Sequence, residues 1–246
     1  MVSPGKFGTK LPVTGSHEGS GIVTSVGSDV PNFNLGDRVM CGLPLHPCGA
    51  CHDCLGSEEG RRQYCAKVEG HVGVHMNVCF AEYVKVDSRS TTPLPDQVSF
   101  LSAALACAGR TVWRSVLQAE LKPGQWLAIV GSGRGLGHLG IQFAKKATDL
   151  EVIAIDARDE GLDYSKENGA DVVMDARKGK ANAVAEVQHV TGGDGVDATV
   201  VLSDAGDSAA VGCAVTRMHS TLVQVAQPDE VKIRSSSVIF ESREVF

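Results

Sequence analysis

The chain has 246 residues, of which 43% are hydrophobic, enough for one large core or two smaller ones and too apolar for a disordered tract. Its formal net charge of -6 leaves no basic footprint for a nucleic-acid backbone. No apolar run approaches the ~20 residues of a membrane span, and the N-terminus lacks a signal-peptide core, so a cytoplasmic protein with neither nucleic acid nor membrane as partner is expected.

Residues 1–16 hold no Cys, His, Asp or Glu; the first candidate metal-ligating pair is His17-Glu18, set between glycines in GSHEGSG. Glycine and proline then divide the chain into short alternating runs, GIVTSVG, GDRVMCG and FAEYVKVD, before TTPLPDQ. This pattern predicts a small, irregular β domain. From Ser99 the run SFLSAALACAGRTVWRSVLQ has apolar residues at helical spacing, with Ser99 or Asp96 available as cap.

After Lys122-Pro123-Gly124 the pattern becomes regular. WLAIV reads as a strand, LGHLGIQFAKKA as a helix, EVIAID as a strand and DEGLDYSKENG as a helix, with further strands expected at DVVM, DATVVL, STLVQVA and SVIF. Such alternation predicts an α/β fold with a doubly wound parallel sheet. Two domains are expected, 1–97 and 98–246.

Between WLAIV and its helix lies GSGRGLG, with glycines at 131, 133, 135 and 137 and with Arg134 and Leu136 between them. Such a loop lets main-chain amides at a helix N-terminus face a pyrophosphate. Asp156 follows nineteen residues after Gly137, at the end of EVIAID, where a carboxylate accepts from a ribose 2'-hydroxyl and repels a 2'-phosphate. NAD is therefore expected over NADP. Arg134 either clamps a phosphate or fills the loop without one, and a glycine-rich turn that binds nothing is the competing interpretation.

Eight cysteines are present, and four of them, Cys48, Cys51, Cys54 and Cys65, form C-x2-C-x2-C-x10-C. Four thiolates at such spacings can wrap a tetrahedral zinc in a closed, structural site; free or redox-active thiols are the alternative. Cys41, Cys79 and Cys213 are spare cysteines of the kind that cores bury.

GSHEGSG, the four-cysteine lobe, LACAG at 105–109 and GSGRGLGHLGIQFAKK followed by VIAID together resemble the medium-chain, zinc-dependent alcohol dehydrogenases, most of all the fungal and yeast branch. The resemblance implies a GroES-like β domain joined to a Rossmann domain that binds a nicotinamide nucleotide. It implies that His17 and Cys107 are catalytic-zinc ligands, with Glu18 adjacent, and that Cys48, Cys51, Cys54 and Cys65 hold structural zinc. Gly131, Gly133, Gly135, Gly137 and Asp156 match the family's cofactor fingerprint. Arg110 stands where an apolar residue is usual, and Cys79 where a glycine is usual. The family's first zinc cysteine and its proton-relay hydroxyl lie upstream of its GHE motif, so a chain truncated at both ends, with a catalytic zinc site one ligand short, is expected.

Two functions follow from these features. The first is oxidation or reduction of a small alcohol or carbonyl substrate with zinc and NAD. The second is a non-redox relative, working by acid-base or cyclisation chemistry in secondary metabolism with His17, Glu18 and Arg110, or a pseudoenzyme. The strand-like end SSVIFESREVF also predicts a homodimer paired through Phe240, Val245 and Phe246.

Overall fold

A computed structural model describes residues 8–56, 61–236 and 244–245, in two compact units, Met1–Cys107 and Ala108–Phe246. In the first unit the elements are short: β1 (Ser20–Ile22), β2 (Arg38–Met40), β3 (Pro44–Leu45), helix α1 (His52–Leu55), β4 (Gly70–His71) and β5 (Thr92–Pro93). β2 is the centre of an antiparallel sheet with β1 and β5, and β3 pairs with β4. Phe33, Val39, Val72, Val78 and Leu94 are buried here, a small core consistent with the glycine- and proline-broken sequence.

The run FAEYVKVD does not form the expected strand. Phe80 and Tyr83 are 80% and 75% exposed. The amides of Val78, Cys79 and Phe80 donate to the carbonyls of Thr14, Ser16 and Gly15 respectively, an out-of-order set of bonds that cannot extend into a ladder.

The expected helix from Ser99 is two elements. The Ser99 hydroxyl accepts from the Leu101 amide at 3.2 Å and starts a 3-10 turn over Phe100–Ala106. Cys107, at φ -125° and ψ -65°, leaves helical geometry, and α2 (Ala108–Gln118) begins beyond it.

The second unit continues with β6 (Trp126–Val130), α3 (Gly137–Ala147), β7 (Glu151–Asp156), α4 (Asp159–Glu167), β8 (Val172–Asp175), α5 (Lys180–Thr191), β9 (Val196–Val201), α6 (Ser208–Val215), β10 (Thr216–Gln224) and β11 (Glu244–Val245). All are parallel, in the order β11-β10-β9-β6-β7-β8, so the winding reverses between β6 and β9. Successive residues supply opposite faces: Leu127, Ile129, Val152 and Ala154 enter one core, Ala128, Val130, Ile153 and Ile155 the other. Burial on both faces accounts for the unbroken apolar runs. Each Leu, Ile and Val among them contributes roughly 1.5–3 kcal/mol relative to exposure.

The fold class is thus α/β, a small β unit with a doubly wound parallel sheet. The strand expected at SVIF, and with it Phe240 and Phe246, lies outside the described residues; β11 pairs with β10 as Thr221 with Glu244 and Leu222 with Val245.

Candidate functional site

The sulfurs of Cys48, Cys51, Cys54 and Cys65 lie within 4.8 Å of one another. Cys48 and Cys54 are 3.9 Å apart, close to the ~3.8 Å edge of a tetrahedron with zinc–sulfur bonds of ~2.3 Å. Cys51 stands in extended geometry before α1, and its carbonyl accepts from the amides of Cys54 and Leu55, so one short turn sets two thiols side by side. The amides of Ala50 and Cys51 lower Cys48 to about 6, and the Cys48 amide holds Cys65 down. Cys51, sharing a hydrogen bond with Cys54, is pushed up to about 12. Two sulfurs therefore favour the thiolate that a metal needs. The neighbouring His46 bonds to Glu69 at 2.6 Å and belongs to no donor cluster among the described residues.

Sequence reasoning missed the clamp on this lobe. Asp87, with its side chain 3% exposed, accepts from the His46 amide at 2.9 Å and binds the Arg89 guanidinium. Arg89 also donates to the Pro47 carbonyl at 2.8 Å, and its charge acts on Cys54 and Cys48. The hydrogen bond from Arg89 lowers Asp87 from 3.8 to about 2, so the ionised pair stabilises the fold fully above about pH 4 and loses that contribution as the pH falls through about 2. Asp87→Asn is expected to cost at most about 2 kcal/mol at pH 7, less where water screens the partly exposed Arg89. Urea denaturation checks this, and an unchanged midpoint would contradict it.

The donor atoms of His17, Glu18 and Cys107 also lie within 4.8 Å of one another, each residue half-buried. Ser16 takes φ +72°, and its hydroxyl accepts from the Glu18 amide at 3.3 Å, a side-chain turn that fixes the two ligand candidates. Gly73, at φ +76°, lies beneath; a Cβ there would come within 2.7–2.8 Å of the Ser16 carbonyl and the His17 amide. The Ser20 hydroxyl in β1 donates to the Phe100 carbonyl at 2.6 Å, which ties the His17 segment to the 3-10 turn that ends at Cys107. Arg110 is exposed in the first turn of α2, in the second unit, and is not one of these donors.

In the second unit the glycines have different reasons. Gly131 takes φ +86°; a Cβ on Gly133 would overlap the Gly161 backbone, and one on Gly137 the Ser132 backbone, whereas Gly135 faces open space. Arg134 is exposed, and Leu136 packs on the core beside β6. Asp156 is 5% exposed in its side chain. It accepts from the amides of Gly133 and Ala157 at 2.9 Å and of Arg158 at 3.1 Å, and it pairs with the Arg158 guanidinium at 3.3 Å. Ser132 bonds Ser165 at 2.8 Å, and Ser165 donates to the Gly161 carbonyl at 2.7 Å, pinning α4 to the loop. Arg158, Gly161 and Ser165 carried no sequence signal beyond a glycine inside a helix's first turn.

Residues 1–96 match the family model of the alcohol dehydrogenase GroES-like domain, and residues 135–246 that of the zinc-binding dehydrogenase. An alcohol dehydrogenase of Schizosaccharomyces pombe is 34% identical over 225 residues, covering 91% of this chain and 62% of that protein. This chain therefore spans less than two thirds of that relative. The crystal structure of the alcohol dehydrogenase from the archaeon Aeropyrum pernix is 32% identical, with a TM-score of 0.82 over 96% of this chain and 68% of the other. A zinc-binding dehydrogenase structure from Sinorhizobium meliloti, bound to NADP, is 26% identical, with a TM-score of 0.83 over 96% and 68%.

Proposed function

The chain belongs to the medium-chain, zinc-dependent alcohol dehydrogenase family, and from that premise we propose that it is an NAD-dependent oxidoreductase interconverting a small alcohol and its carbonyl compound. The observation that carries the reading is the convergence of His17, Glu18 and Cys107 within 4.8 Å. One imidazole, one carboxylate and one thiol are three donors, and a catalytic zinc takes three and keeps one position open. With Cys107 deprotonated, the two negative charges balance a divalent cation.

Zinc and NAD, when bound, supply a Lewis acid for the alcohol or carbonyl oxygen and a carrier for the hydride. The chain's own part is to hold and orient. His17 offers a ring nitrogen as ligand, and Ser16 fixes the turn that carries it. Gly131, Gly133 and Gly137 let the loop turn tightly against Ser203, Gly161 and Ser132, which sets its amides for a pyrophosphate, and exposed Arg134 offers a guanidinium to it. Four thiolates at Cys48, Cys51, Cys54 and Cys65 leave no open position, so the zinc proposed there is structural. In this reading residues 1–97 are the GroES-like domain and 98–246 the dinucleotide-binding domain. The S. meliloti structure bound to NADP supports a nicotinamide nucleotide as cofactor. A homodimer through the C-terminal strand completes the reading.

The Asp156 carboxylate, held at the end of β7 by three amides and by the Arg158 guanidinium, favours NAD by standing where a 2'-phosphate would have to fit. NAD is expected to bind at least about tenfold more tightly than NADP, about 1.4 kcal/mol. Calorimetry with both nucleotides, followed by assay of reduced nicotinamide with a panel of small alcohols, tests the function. Equal affinities would contradict the role of Asp156, and NAD binding without turnover of any alcohol or carbonyl would contradict the activity.

A further inference from the structure

We propose that Cys41 and Cys79 are a peroxide-responsive thiol pair whose disulfide controls the backbone segment carrying His17 and Glu18. Neither cysteine belongs to the two donor clusters described above. Cys41 is buried just after β2, Cys79 is half-buried, and both are free thiols.

Three observations converge on this pair. The two side chains hydrogen-bond to each other. Both sulfurs lie against Gly19, two residues after His17: a Cβ on Gly19 would overlap the Cys79 sulfur and come within 3.3 Å of the Cys41 sulfur. Their main chains hold the same segment from either end, since the Cys41 amide donates to the Gly19 carbonyl at 2.8 Å and the Cys79 amide to the Ser16 carbonyl at 3.3 Å. Residues 16–19 are thus suspended between two strands of chain whose side chains touch beneath them.

The thiols divide into an attacking and a resolving partner. Cys79 is the one that solvent reaches, and the hydrogen bond from Cys41 holds it below the ordinary thiol range, while the same bond and burial push Cys41 up. The oxidant is hydrogen peroxide. The Cys79 thiolate attacks one peroxide oxygen, the O–O bond breaks, and the leaving hydroxide takes a proton to become water, leaving a sulfenic acid on Cys79. The Cys41 sulfur then attacks the Cys79 sulfur, the S–O bond breaks, and the departing hydroxide takes the Cys41 proton as a second water. Two electrons pass from the thiols to the peroxide, and a dithiol returns them.

Closing the bond draws the sulfurs from hydrogen-bonding separation to ~2.05 Å. Gly19 already fills the space beside them without a side chain. The main chain bonded to Cys41 and Cys79 therefore moves, and the Ser16–Gly19 segment moves with it. Loss of metal from His17, Glu18 and Cys107 on oxidation is a consequence that rests on the functional reading above; the disulfide itself does not.

The test treats the full chain with one equivalent of hydrogen peroxide, blocks remaining thiols with N-ethylmaleimide and maps peptides without reduction. A Cys41–Cys79 linkage that dithiothreitol reverses is expected, with the four lobe cysteines still reduced. Amide hydrogen exchange over residues 14–20 should change on oxidation of the wild type and not of Cys79→Ser, with Cys79→Ala as a second variant should serine perturb folding. Maleimide on both Cys41 and Cys79 while the lobe cysteines are oxidised overturns the pair. A Cys41–Cys79 disulfide with unchanged exchange at 14–20 overturns its control of the segment. Zinc content is read in parallel: a reduced protein with no metal at His17 defeats the metal site alone, and the mapping and exchange still decide the pair.

Discussion

Cys48→Ser is expected to remove one zinc per chain and to open the lobe around Cys48–Cys65 to proteolysis. A large loss of stability is expected, because the described residues of the lobe bury little apolar surface. Among the described residues of the lobe, helix α1 buries no residue, and Cys65 is itself a buried side chain. Where apolar burial is this thin, metal takes the place of a core, and structural zinc in small peptide sites binds with about 10–16 kcal/mol. A serine hydroxyl at position 48 supplies no thiolate, and it removes the sulfur that the amides of Ala50 and Cys51 hold in its ionised form. Metal analysis with limited proteolysis checks the effect. A full zinc complement and an intact lobe in the variant would contradict it.

Gly133→Val is expected to abolish nucleotide binding and to lower the thermal midpoint, whereas Gly135→Ala is expected to do neither. The contrast follows from what each Cβ meets. At Gly133 it would overlap the Gly161 backbone, so α4 would have to leave the loop and the Gly133 amide would lose Asp156. Forcing a side chain into a closed site costs about 1–3 kcal/mol even where side chains can adjust, and backbone adjusts less. At Gly135 nothing lies within 4 Å. Calorimetry with NAD and thermal unfolding of both variants check the pair. Wild-type NAD affinity in Gly133→Val would contradict the loop's role.

How much of this was legible depended on how local each signal is. The parallel sheet was, because WLAIV and EVIAID are buried on both faces and their flanking glycines and helices follow at short range. The cysteine lobe was also legible, since its spacing is itself the geometry. His17 and Cys107 sit at opposite ends of the first unit's sequence, and only the resemblance to a family linked them before the fold brought them together with Glu18. The break at Cys107 was hidden because apolar spacing continues through it; a 3-10 turn and a helix share enough periodicity to read as one. FAEYVKVD alternates like a strand, but carbonyls of the Thr14–Ser16 segment take the amides of Val78, Cys79 and Phe80, at its start, out of order. Asp156 was visible as a carboxylate after a strand, while its three amide partners and Arg158 are facts of packing that no spacing encodes. The same holds for Cys41 beside Cys79.

The central claim is that His17, Glu18 and Cys107 form a metal site separate from the cysteine lobe. Zinc counted per chain in the wild type and in His17→Ala, both purified without chelators, tests it most directly. The account predicts two zincs in the wild type and one in the variant, the remaining zinc being the one that Cys48→Ser removes. One zinc in both proteins, or two in both, would contradict it.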